Sequence, residues 1–150
     1  MKTNAVRALE DIEVMESLEG PALYPALDIE VAIDWDPDNR IYHWTFSGPH
    51  VQDGSIILPG PGTTNLVFTL ATPGYELLYI NLDPELSATH QMMAMHVDSV
   101  NNSITVTDRN TDDTPFSLSL VARMTGKLES GFASPDPQII NHPNNMCNSK

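Results

Sequence analysis

Two short stretches gather the side chains that hold hard metal ions. The first is Asp34-Trp-Asp-Pro-Asp-Asn39, with Asp34, Asp36 and Asp38 at alternate positions. The second is Asp108-Arg-Asn-Thr-Asp-Asp113, which offers Asp108 and Asp112. Carboxylates and amides alternating on a loop are the oxygen ligands that Ca²⁺ takes. If both loops sit at one end of the fold, these five aspartates form one candidate Ca²⁺ site. Against it, the first loop lacks the glycine at position six and the glutamate at position twelve of an EF-hand. Asp36-Pro37-Asp38-Asn39 is also simply a good β-turn.

Other constellations are weaker. In His90-Gln-Met-Met-Ala-Met-His96, thioethers and imidazoles suit copper(I). On a strand, however, Met92 and His96 face one way and Met93 and Met95 the other. Methionine is also an ordinary filler of cores. Asp28 and Glu30 share one strand face about 6.6 Å apart, a spacing that paired carboxylates use in sugar hydrolysis. An acidic strand face is more simply a solvated one. Ser47, His50 and Asp53 are triad residue types within one loop. A triad needs its serine on a rigid element with oxyanion donors nearby, and one loop rarely supplies all three. Gly-x-Ser-x-Gly, His-Glu-x-x-His and a phosphate-binding glycine loop are all missing. Cys147, close to His142, reads as an incidental thiol. The expectation is a protein that is not an enzyme, with no catalytic residue and no cofactor beyond Ca²⁺.

The charge balance narrows the partners. Twenty acids against seven bases give a formal charge of −13, and no Lys or Arg occurs between Arg40 and Arg109. Tracking a phosphate backbone needs clustered bases that neutralise phosphates and release counterions. Nucleic acid is therefore not expected as a partner, and neither is an anionic membrane. The first residues, Met1-Lys-Thr-Asn-Ala-Val-Arg, contain no apolar run of the secretory kind. A single cysteine makes no intrachain disulfide. A cytoplasmic setting is the expectation.

The elements that must position these residues are strands. In the stretch 27–46, Leu27, Ile29, Val31, Ile33 and Trp35 alternate with Asp28, Glu30, Ala32 and Asp34. After the Asp-Pro turn, Tyr42, Trp44 and Phe46 alternate with His43 and Thr45. Side chains on a strand alternate faces, so this is a β-hairpin with an apolar side that takes both tryptophans inward. Further strands are expected at 55–58, 65–70, 75–82, 92–100, 103–108 and 116–122. The segment 75–82 is apolar on both faces and reads as a central strand. Asn101-Asn102 fits a hairpin turn, because asparagine tolerates positive φ. One helix is expected, over 4–20, with an extended 12–15 segment as the alternative. About eight short strands with turn signals every 8–12 residues describe an all-β, immunoglobulin-like antiparallel sandwich. Its limits are expected at 27–129, preceded by an extension over 1–26 and followed by a polar tail over 130–150.

The tail carries Ser134-Pro-Asp-Pro-Gln-Ile-Ile-Asn-His-Pro143. With the Asp-Pro turn of the first hairpin and the strand pattern between, the chain resembles a small family of bacterial proteins of unknown function, the DP-EP family. It distantly resembles the AidA/PixA-type bacterial inclusion-body proteins, which are thought to be β-sandwiches. These resemblances imply the fold and an intracellular bacterial setting, and supply no reaction or catalytic residue. Two functions follow as expectations. One is a non-enzymatic sandwich acting by self-association, as a homo-oligomer, or by partner binding, with Ile139-Ile140 docking on its own or a neighbour's sheet. The other is a small-ligand or Ca²⁺-binding module built on the acidic loops.

Overall fold

The computed structural model describes residues 25–82, 90–128 and 131–143. The helix expected at 4–20 and Cys147 lie outside them. The described residues form eleven strands: β1 (Leu27–Asp36), β2 (Ile41–Ser47), β3 (Val51–Gln52), β4 (Ser55–Ile57), β5 (Thr64–Leu70), β6 (Tyr75–Leu82), β7 (Met92–Asp98), β8 (Ser103–Asp108), β9 (Phe116–Met124), β10 (Phe132–Ala133) and β11 (Gln138–Ile140). They build two sheets packed face to face as a β-sandwich. The first has the order β2-β1-β5-β8-β7. In the second, β9 pairs with β6 along one side. Along its other side lie β10 and then β11, followed by β4 and β3.

The sheets are mixed, which corrects the purely antiparallel expectation. β1 runs parallel to β5, from Leu27 opposite Leu66 to Val31 opposite Leu70. β11 runs parallel to β4. The alternation of β1 dictates its inward face: Leu27, Ile29, Val31 and Ile33 are buried. They meet Leu66 and Phe68 of β5, Ile104 and Val106 of β8, and Phe116, Leu118 and Leu120 of β9 in one core. Each such side chain contributes about 1.5–3 kcal/mol by leaving water.

The alternation fails at Trp35, which is 43% exposed. The hairpin runs past the end of β5, whose pairing with β1 stops at Val31. Among the described residues Trp35 therefore lacks a neighbouring strand on that side and packs on Tyr42, ring centroids 4.7 Å apart. Tyr42 in turn stacks on Phe132 of β10, at 3.8 Å and 6°. That contact joins the edge of one sheet to the other.

β6 is an edge strand rather than a central one, pairing only with β9 among the described residues. A register shift between Leu77 and Tyr79 turns Tyr79 outward, to 43% exposure. The shift also leaves the Leu77 N–H free to donate to Asn102 Oδ1 at 2.9 Å. Asn102 Nδ2 donates to Tyr75 O at 2.9 Å. One asparagine in a β7–β8 turn, at φ +54°, thus ties the two sheets together.

The polar tail expected from 130 onward belongs to the sandwich through Pro143. Ile139 is fully buried, opposite Ile56 of β4 and Phe116 of β9. Its docking is on the chain's own sheet. Between β10 and β11 the prolines interrupt the ladder, and other groups replace it. Ser134 N donates to Leu120 O (2.8 Å), Leu120 N donates to Ser134 Oγ (2.9 Å), and Ser134 Oγ donates to Pro135 O (2.7 Å).

Candidate functional site

The five candidate aspartates do not meet. Asp108 lies opposite Thr64, at the start of β5, whereas Asp34, Asp36 and Asp38 lie beyond its far end. Strand rise separates the two groups by on the order of 30 Å, so a Ca²⁺ site shared between the loops is ruled out. Among the described residues no three His, Cys, Asp or Glu side chains gather as a metal site.

The first group is engaged in building its turn. Asp36 Oδ1 accepts from the N–H groups of Asp38 (3.0 Å) and Asn39 (3.2 Å). Its Oδ2 accepts from Asn39 Nδ2 at 2.8 Å and stands 3.1 Å from His43 Nε2. The Asn39 amide first, and His43 next, hold the Asp36 carboxyl down at about 2. Arg40 closes the turn at φ +59°. Asp98 repeats the device: its carboxylate accepts from Val100 N, Asn101 N and Asn101 Nδ2, and Asn102 takes the left-handed position. Both sequences read Asp-x-x-Asn followed by a residue of positive φ, a four-residue hairpin connection. Asp34 and Asp38 are exposed beside this turn.

The second group sits in a buried polar knot at the end of β8. Asp108 is fully buried. Its Oδ1 accepts from Asn110 N at 2.9 Å, while Oδ2 has no partner among the described residues. Burial drives the Asp108 carboxyl up to about 7, partly offset by the Asn110 N–H and the neighbouring Asn141 amide. Asn110, at φ +62°, donates from Nδ2 to Gly60 O and Gly62 O and accepts at Oδ1 from His142 N. Gln91 Oε1 accepts from Thr111 N (2.8 Å), Asp112 N (3.3 Å) and Asn141 Nδ2 (2.9 Å). Asn141 Nδ2 also donates to Asp112 O. A proton on Asp108 supplies a donor where Asn141 Oδ1 also lacks one.

Above this knot opens a cavity of about 450 Å³, lined by His90, Gln91, Arg109, Thr111, Asp112 and Asp113. Gln91 is its buried floor. Arg109 Nε donates to His90 O at 3.2 Å, which steers the guanidinium while leaving its terminal nitrogens without a carboxylate partner among the described residues. Asp112 Oδ1 accepts from Thr114 N. Asp113 carries neither a hydrogen bond nor an ion pair among them. The acidic loop thus presents unpaired charges of both signs on one rigid frame.

The model of the DP-EP family matches residues 25–143. The chain belongs to the DP-EP family. The comparison with curated proteins finds no match. The matched span of this DP-EP protein covers every described strand, including the Ser134–Pro137 crossing and Asn141.

A second surface of the DP-EP sandwich adjoins the cavity. Among the described residues β7 is one edge of the first sheet and β6 one edge of the second. Between them lies an apolar groove of about 220 Å³, lined by Ile80, Leu82, Met92, Met93, Ala94, Met95 and Val106. Met93, Met95 and Val97 are exposed. Met93 and Met95 are thus not core fillers, whereas Met92 packs against the core as expected. The second sheet reaches toward β7 only with the end of β6, and the shift between Met92 and Ala94 changes the phase of the strand. Ser47, His50 and Asp53 share no hydrogen bond. Asp28 and Glu30 stand exposed on the outer face of β1. Gln91, Asn110 and Asn141 went unmarked in the sequence. The one signal for them was the run of amides around the second acidic loop and in the tail motif. No described helix is long and apolar enough to cross a membrane.

Proposed function

We propose that this DP-EP protein is a non-enzymatic sandwich that acts by self-association, with β7 of one copy pairing antiparallel with β7 of a second about a two-fold axis. The observation that carries this reading is the chemistry of the edge. A sheet edge offers unpaired N–H and C=O groups, and natural edges are guarded by charges or prolines. From His90 to Val97 there is no Asp, Glu, Lys, Arg or Pro, in a chain of net charge −13. Two such chains repel wherever their acidic surfaces meet, and least along this uncharged strip. The strip also exposes Met93, Met95 and Val97, apolar surface that a second copy would bury. The other edge of that sheet, β2, turns Tyr42, Trp44 and Phe46 into the core and presents His43 and Thr45 outward. A two-fold interface uses the same patch twice, so each substitution counts twice.

The test is molar mass in solution by light scattering across protein and salt concentration. The expected result is a dimer that strengthens as salt screens the acidic surfaces. Met95→Lys should return it to monomer, and Thr45→Lys on the β2 edge should not. A monomer under every condition, or a dimer indifferent to Met95→Lys, would overturn the proposal.

A further inference from the structure

The cavity at the end of β8 shares no lining residue with the apolar groove beside β7 and calls for its own ligand. Its walls hold opposite charges that do not neutralise one another. Among the described residues Arg109 is steered by its bond to His90 O and no carboxylate pairs with it. Asp113 is likewise unpaired, and Asp112 is fixed by Thr114 N. The frame is rigid, because Gln91 Oε1 anchors the N–H groups of Thr111 and Asp112, and Gln91 Nε2 donates to Thr111 Oγ1 at 3.0 Å. Opposite charges held apart on a fixed loop match a solute that carries both signs. A guanidinium binds a carboxylate through paired N–H donors, and a carboxylate receives an ammonium. The same guanidinium disfavours a bare divalent cation, which Arg109 would repel. A volume of about 450 Å³ suits a ligand of a few to a dozen heavy atoms and is within the range of small-molecule sites.

We propose that this cavity binds a small zwitterion of the amino-acid or dipeptide class, with its carboxylate on Arg109 and its ammonium on Asp112 and Asp113. Glycine and glycylglycine serve as probes, because they differ in the separation of their charges, and acetate and methylamine each carry one half of the chemistry. The readout is the movement of the backbone amide resonances of Gln91, Thr111 and Asp112 during titration of the full chain. At least one zwitterion should shift these amides saturably, and the better of the two identifies the class. Acetate and methylamine should each bind at least about tenfold more weakly, since each makes one of the two charged contacts. Arg109→Gln and Asp113→Asn, both at exposed positions, should weaken the zwitterion by a similar factor with unchanged melting curves. Unmoved amides with both zwitterions would overturn the proposal. So would half-ligands that bind as tightly as the zwitterion, or an Arg109→Gln protein that binds it as tightly as the parent. The Met95→Lys protein should bind it unchanged, which separates this site from the association edge.

Discussion

Asp108 should make the stability of this protein fall as the pH rises through neutrality. In the unfolded chain its carboxyl titrates near 3.8, and in the fold burial moves it to about 7. Between those values the folded state holds a proton that the unfolded state has lost, so stability decreases with increasing pH. The contribution is fully present below the unfolded value and gone once the pH has passed through the folded one. A difference of about three units at 1.36 kcal/mol each gives an upper figure of about 4 kcal/mol. That is a large part of the 5–15 kcal/mol typical of a domain. Among the described residues no cation compensates the buried charge, since neither Arg109 nor His142 forms an ion pair with Asp108. Asp108→Asn isolates the effect. Its amide oxygen can still accept from Asn110 N, and its NH₂ replaces the acid's donor. Urea unfolding from about pH 5 to about pH 8 is the assay. About two of the three units lie above pH 5, so the asparagine variant should gain about 2–3 kcal/mol on the parent between the acid and the alkaline end. A difference that does not change with pH, or one in which the parent gains on the variant as pH rises, would refute a protonated Asp108.

Two structural substitutions test how the sandwich is held together. Ile139→Ala should cost about 2–5 kcal/mol by chemical denaturation, because the side chain is fully buried and its removal leaves a cavity. Asn102→Ala should cost about 2–3 kcal/mol, since it loses both bonds to β6 and places a Cβ-branching-free but non-glycine residue at φ +54°. Asn102→Gly removes the same bonds while accepting that backbone, so it should recover part of the loss and separate the two causes.

The first hairpin was legible because its information is local. The apolar positions of β1 fall on one face, and the Asp36 turn is written in four consecutive residues. What local pattern left open was long-range. The parallel pairing of β1 with β5 depends on partners about forty residues apart, and no alternation specifies it. β6 reads as central because both of its faces are apolar, yet among the described residues it pairs only with β9 and stands at an edge. The second acidic loop was visible as carboxylates, whereas its organisers are amides. Gln91 and Asn141 meet across fifty residues, and an isolated glutamine gives no sign that it will be buried. Trp35 has the right phase for the core, yet it lies beyond the pairing of β1 with β5 and stays exposed.

The tail motif, which lies within the span matched by the DP-EP model, links these features. Two prolines within four residues should break any strand beside β9, because each lacks an N–H. Ser134 answers with its hydroxyl, which accepts from Leu120 N, and Pro137 O accepts from Leu118 N at 3.4 Å. The chain therefore crosses β9 without orphaning these two donors and re-enters the sheet at β11, in phase to bury Ile139. Two residues later Asn141 reaches Gln91 Oε1 and Asp112 O, the groups that fix the loop of the charged cavity. His142 N closes on Asn110 in the next step. The Asp-Pro segment works as a spacer between β10 and β11, and its length sets where Asn141 falls. The tail motif and the candidate ligand site are thus parts of one construction: the motif places the tail, and the tail completes the floor on which Arg109 and Asp113 stand apart.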